Sequence, residues 1–252
     1  MKIGLASVTL RDLTPAEIVR LVKEADLDGI EWSGDAHCPP GDEELAKEIV
    51  RQTIDSGLEV ISYGSYYFAG KENGNSFDAV LKTAINLRTN TIRIWTGADW
   101  RPSDSVSEES RAKAVADIKA VAKKAATAGI DIAFEYHDNT LTDTIESTIR
   151  LLNEVDMPNV YTYWQNPGDL VETNCNNLQT LVKMGKLKNV HTFSHANYSE
   201  RRPFSAAEAD WKMYIQTIRE ANPALLIEFV KGDSAEQFLE DGKFLANLVK
   251  RT

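Results

Sequence analysis

Glu135, Gln165, His191 and Glu228 are the side chains in this chain best suited to chemistry, because each lies at or near the end of a short apolar run. The runs are 130–136, 159–164, 190–193 and 225–230. A carboxylate, an amide oxygen, an imidazole and a second carboxylate make a donor set for one divalent cation, Mn²⁺ first, with Mg²⁺, Co²⁺ or Zn²⁺ as alternatives. Glu228 interrupts Leu226-Ile227-Glu228-Phe229-Val230, where a buried charge is costly unless it is paired or holds a metal. Between Ile132 and His137, period 2 sends Ala133, Glu135 and His137 to one side and Phe134 and Tyr136 to the other. With Phe134 facing a helix layer, Glu135 and His137 face an interior. A lone His on a strand reads as a core residue, but His191 stands between two strands that each present a carboxylate. Gln165 is neutral, so it either ligates a hard cation or hydrogen-bonds a substrate hydroxyl or a water.

Something must bring four distant segments together, and the pattern of the whole chain supplies it. Strand-like runs at 2–7, 29–32, 58–63, 91–96, 130–136, 159–164, 190–193 and 225–230 alternate with amphipathic stretches at about 14–25, 42–56, 76–87, 107–128, 142–155, 173–184, 205–220 and 234–250. Alternation of this kind signals parallel βα units. Eight such units predict a closed (β/α)₈ barrel of α/β class, a single domain over residues 1–252. Thr14-Pro15-Ala16-Glu17 carries a cap residue, a Pro at the first helical position and the Glu of a capping box. Gly29, Gly57, Gly129 and Gly185 read as helix ends, where a left-handed turn costs least. The longest irregular pieces, 34–41, 64–75, 97–106 and 197–204, all follow strands, and in a barrel those loops line the catalytic mouth.

Bulk properties narrow the function. The chain has 252 residues, 42% hydrophobic and 26% charged, with a formal charge of −10. That charge would repel a phosphodiester backbone, and no run of Lys or Arg forms a basic stripe, so nucleic acid is excluded as the expected partner. No apolar leader or membrane-length segment stands out, which gives a cytoplasmic expectation with no membrane partner. Cys38 and Cys175 are too few for a disulfide framework and read as free thiols.

These residues resemble the xylose isomerase-like TIM barrels, a group with sugar and sugar-phosphate isomerases and epimerases, inosose dehydratases and endonuclease IV proteins. The likeness spans the chain, through Glu135, Gln165, His191 and Glu228, spaced by 30, 26 and 37 residues, and through strings such as Gly29-Ile30-Glu31-Trp32, Ile92-Arg93-Ile94-Trp95 and Glu228-Phe229-Val230-Lys231. It implies a metal held by the ends of strands five to eight. It also implies a metal-dependent isomerase or epimerase that forms an enediolate, with Glu135 and Glu228 as acid and base. The chain departs from the ketose 3-epimerase pattern twice. Gln165 with Gly168 stands where Asp-x-x-His is usual, and Asn197 where an Arg is usual, leaving the metal site with one negative charge fewer.

Other residues could serve the substrate, expected to be a small carbohydrate. His37, in the loop after strand two, either reaches a hydroxyl or packs over the mouth. His137 shares the parity of Glu135. Arg201, Arg202 and Lys231 are mouth-loop cations suited to a phosphate or carboxylate. Arg93 and Glu31 read as an inward ion pair. Trp95, Trp100, Tyr66 and Tyr67 fall on mouth loops, where aromatic faces suit sugars or the contact of a homo-oligomer. Among rival readings, an endonuclease would need a His-rich three-metal cluster and a basic groove, which four His and the acidic charge oppose. A metal-dependent dehydratase or lyase uses the same enolate and is not separated from an epimerase by the sequence. A sugar-binding barrel that has lost catalysis would keep fewer of the four residues.

Overall fold

The computed structural model describes residues 1–97, 100–197 and 200–252, with the main chain alone at Asn197. The Asn197 side chain and parts of the loops at 97–106 and 197–204 therefore lie outside the described residues. Strands β1 (Ile3–Ala6), β2 (Gly29–Ser33), β3 (Glu59–Ala69), β4 (Thr91–Thr96), β5 (Asp131–Phe134), β6 (Val160–Trp164) and β7 (Leu187–Thr192) are followed by a short antiparallel hairpin, β8 (His195–Asn197) and β9 (Glu200–Arg201), and then by β10 (Ala224–Ile227). The eight long-range strands pair in parallel and close in chain order, with β1 bonded to both β2 and β10. Helices α1 (Pro15–Glu24), α2 (Glu43–Asp55), α3 (Phe77–Asn86), α4 (Glu108–Ala126), α5 (Ile145–Val155), α6 (Val171–Lys183), α7 (Glu208–Ile218) and α8 (Ala235–Arg251) form the outer ring. The (β/α)₈ barrel expected from the alternation is the observed architecture. No helix among the described residues is long and apolar enough to cross a membrane.

Local chemistry explains the boundaries. Thr14 caps α1 with the full reciprocal box: its side chain accepts from the Glu17 N–H, and Glu17 accepts from the Thr14 N–H at 2.8 Å. Gly57, Gly129 and Gly185 take positive φ after α2, α4 and α6, as the sequence implies. Gly29 does not. It lies inside β2, and an added Cβ would sit 2.3 Å from the Glu59 carbonyl oxygen, so the glycine serves close packing of the barrel floor, while Asp26 at φ 55° makes the turn after α1.

The interior is layered along the barrel axis, since alternate residues of each strand point inward. Ile61 fills the floor beside Gly4 and Gly29, and Ala133, Tyr163 and Leu226 pack together above it. Outward residues such as Phe134, Trp164 and Ile227 join the apolar shell beneath the helices. The remaining inward positions are polar, and they build the site.

The loop after strand three differs from its expected irregular course. β3 continues to Ala69, with a register break between Gly64 and Phe68 and Tyr66 at φ 56°. Within the extended strand the neighbouring tyrosines point to opposite sides. Tyr66 stays at the mouth near Trp95, whereas Tyr67 turns outward, donates to the Asp117 carboxylate at 3.1 Å and packs edge-on against Phe77. Tyr67 is thus a bridge from barrel to helices and leaves the mouth group proposed from sequence.

Candidate metal centre

Glu135, His191 and Glu228 arrive together at the carboxyl end of the barrel, all buried, with one candidate ligand atom from each within 4.8 Å of the other two. Strand pairing places them. The Glu135 N–H donates to the Ile94 carbonyl and the Glu228 N–H to the Thr192 carbonyl, each at 3.0 Å, so both residues extend the ladder one step beyond β5 and β10. Gln165 follows β6, the strand between those of Glu135 and His191. It is buried, and alternation gives it the inward parity of Tyr161 and Tyr163.

Beneath the triad lies a buried ionic network. Arg93, from β4, is 1% exposed and bridges Glu31 at 2.9 Å and Glu135. Glu31, from β2, also accepts from the Ser62 hydroxyl at 2.7 Å and the Tyr163 hydroxyl at 2.8 Å, and faces His191 Nε2 at 3.3 Å. His191 Nδ1 lies 3.2 Å from Glu228 Oε2. Burial alone would raise the Glu31 pKa, but the Arg93 charge and the His191 and Ser62 contacts hold it well below the usual carboxylate range. Glu228 is likewise lowered against the effect of burial, by His191 and then Arg93. Burial works to lower the His191 pKa, and the facing Glu228 and Glu31 overcome it, pushing it up to about 9.

Two observations fit a divalent cation to this cluster. First, Glu135, His191 and Glu228 are all buried, and one ligand atom from each lies within 4.8 Å of the other two, a spacing that a single cation can span. Second, the three carboxylates of Glu31, Glu135 and Glu228 outnumber the Arg93 guanidinium and a His191 imidazolium by one negative charge. A divalent ion that enters as His191 Nδ1 loses its proton brings the group to neutrality. Glu31 would then hold the Nε2–H, the carboxylate–histidine pairing that fixes the ring of a metal ligand.

The other residues singled out from sequence take varied places. His37 has both ring nitrogens engaged, Nδ1 with Ser7 Oγ at 3.0 Å and Nε2 with the Leu13 carbonyl at 3.1 Å, so it braces the loops after β1 and β2. Of its two readings, packing is the one the geometry supplies. His137 is half-buried, packs against Trp95 with 4.7 Å between ring centroids, and donates from Nδ1 to the Asp138 carbonyl. Trp95, Trp100 and Phe68 stack around it as an aromatic wall. Arg201 pairs with Asp233 and lies over the Phe229 ring at 4.4 Å. Arg202 is half-exposed, 3.4 Å from Glu200, and Lys231 is exposed. Arg11 escaped the sequence reading. It reaches Asp35 at 2.7 Å and the Tyr66 hydroxyl at 3.4 Å, and the only signal was a cation just after the first strand.

Residues 19–248 match the family described as xylose isomerase-like TIM barrel. The chain belongs to that family. Within it, 171 residues are 28% identical to the 3-dehydroshikimate dehydratase of Bacillus anthracis, covering 64% of this chain and 60% of that protein's length. The crystal structure of a probable 3-DHS dehydratase involved in petrobactin synthesis from the same organism superposes with a TM-score of 0.81 at 21% identity, over 98% of this chain and 99% of the other. The 3-keto-D-glucoside 4-epimerase of E. coli superposes at 0.73 with 17% identity, over 99% of each chain. At those identities the structural likeness speaks for the shared barrel.

Proposed function

We propose that this barrel is a divalent-metal-dependent enzyme that enolises a small polyhydroxylated ketone and eliminates water from it, with 3-dehydroshikimate as the first substrate to test. The buried Glu135, His191 and Glu228 triad, with one ligand atom from each within 4.8 Å of the other two, is the observation that carries the reading. The dehydratase relative moves elimination ahead of the isomerase or epimerase activity expected from sequence.

A divalent cation held by Glu135, His191 and Glu228, with Gln165 as a fourth donor, would supply Lewis acidity beside the substrate carbonyl. The protein's own groups do the rest. Arg93 bridges Glu135 on one flank and His191 faces Glu228 on the other, so two carboxyl groups address the substrate from different sides. One takes the proton from the carbon next to the ketone. The carboxylic acid so formed passes the same proton to the departing hydroxyl, which leaves as water. The wall of Trp95, Trp100 and Phe68 covers an apolar ring face and keeps bulk water away. Two carboxylates on separate flanks also suit epimerisation, in which the second returns the proton to carbon; the product tells the two apart.

A calorimetric titration of Mn²⁺ into chelator-stripped protein tests the metal site. Binding of one equivalent is expected, and His191→Ala should abolish it. Because His191 keeps its proton up to about pH 9 in the metal-free cluster, binding at neutral pH should release a proton. The affinity should therefore rise with pH by up to about tenfold per unit until that point. Absence of binding, or binding unchanged in the variant, would overturn the site. With the loaded protein, loss of one water from 3-dehydroshikimate yields a dihydroxybenzoate visible in the ultraviolet. Incorporation of solvent deuterium into a ketose without loss of water would instead assign epimerisation.

A further inference from the structure

Beside the metal centre, a cavity of about 280 Å³ opens between the loops after β1 and β10 and the hairpin after β7. Arg11 and Arg201 both line it, together with Phe229 and the start of α8 at Ala235. Phe229 immediately follows Glu228, and its φ of 57° turns its ring away from the strand path, so the cavity begins one residue from the metal-site carboxylate. Its N–H donates to Thr9 Oγ1 at 3.1 Å, which fixes that turn to the loop after β1.

The Arg11 guanidinium is linked to the centre through one ring, and the Arg201 guanidinium packs on the ring of Phe229, the residue after Glu228. Tyr66, to which Arg11 donates, lies under the Arg93 guanidinium at 5.6 Å.

We infer that Arg11 and Arg201 form a carboxylate subsite, holding the acid group of a ring hydroxy-ketone whose reacting end lies over Glu135, His191 and Glu228. This rests on the proposed function and names its substrate class. Both arginines already hold a carboxylate, Asp35 on Arg11 and Asp233 on Arg201. Asp233 is 63% exposed in its side chain and sits at φ 49°, so its contact is a half-solvated pair of small net worth. A guanidinium carries five N–H donors in a planar fork, and the recorded contact uses Nη1 of Arg201, so the fork has capacity for the paired oxygens of an incoming acid. The N-terminus of the 17-residue α8 adds a positive pole. Asp12 and Asp233 also line the cavity, so an incoming acid competes with Asp233 for Arg201.

The test is calorimetry of Mn²⁺-loaded and metal-free protein with shikimate and with methyl shikimate, which differ only in the ionised acid. Shikimate should bind at least about tenfold more tightly than its ester, as the loss of a charge-assisted pair implies. Arg11→Gln and Arg201→Gln should each erase that preference. Asp233→Asn, which removes the competing carboxylate, should strengthen shikimate binding several-fold, and it covers the case in which an arginine variant fails to fold. Equal binding of acid and ester, no binding of shikimate, or no gain in Asp233→Asn overturns the subsite. Mn²⁺ dependence reports on the metal reading separately, since acid-over-ester preference in metal-free protein concerns the arginines alone.

Discussion

Glu135→Gln and Glu228→Gln should each leave a folded barrel whose turnover has fallen by at least about three orders of magnitude. Loss of a positioned general base or acid costs about 10² to 10⁴ in rate, and each change would also remove a charged donor from the proposed metal site. The fold should survive because the network is redundant in charge. With Glu135 neutral, Arg93 keeps Glu31 at 2.9 Å, and with Glu228 neutral, His191 keeps Glu31 at 3.3 Å. Thermal unfolding of the metal-free variants should thus stay close to that of the parent, while product formation under Mn²⁺ saturation disappears. Activity retained by either variant would remove it from the proton-transfer scheme. A collapse in stability would show instead that the triad is structural.

The two levels of this molecule differ in how far the sequence discloses them. Barrel architecture is written locally: hydrophobic period, cap residues such as Thr14, and glycines after helices each act within a few residues. The triad was legible for a related reason. A Glu within an apolar strand and a His at the end of another are anomalies in one dimension, and eight regular βα units bring strand ends to one mouth. Glu31 and Arg93 were visible as an inward pair. Their link to His191 was not, because it depends on Glu31 sharing a layer with Ser62, Tyr163 and His191, and layer assignment follows the barrel's stagger. Gly29 and Tyr67 were misread for complementary reasons. Gly29 answers to a carbonyl on a neighbouring strand, and Tyr67 to the continuation of β3 to Ala69 where a loop was expected, neither of which leaves a mark in the local pattern. Arg11 illustrates the loops, whose residues gain meaning only from what they meet across the mouth.

Arg93→Met is expected to be the most damaging single change to stability. Met nearly matches the length of the Arg stem, so packing is largely retained and the loss is that of charge. Glu31 and Glu135 would then remain buried, 1% and 4% exposed, with His191 facing Glu31 as the remaining positive group. Removing one partner from a buried ion pair costs about 3–5 kcal/mol, which approaches the whole stability of many domains. Urea denaturation of the metal-free protein should show that loss. Adding Glu31→Gln should recover part of it, since the second change removes one stranded carboxylate; a double variant no more stable than the single would mean that Arg93 acts through packing. Mn²⁺ distinguishes the two roles further. A cation at the triad would itself supply positive charge beside Glu135, so it should stabilise Arg93→Met more than the parent protein. Equal stabilisation of both would separate Arg93 from the metal centre and leave it as a brace of the barrel interior.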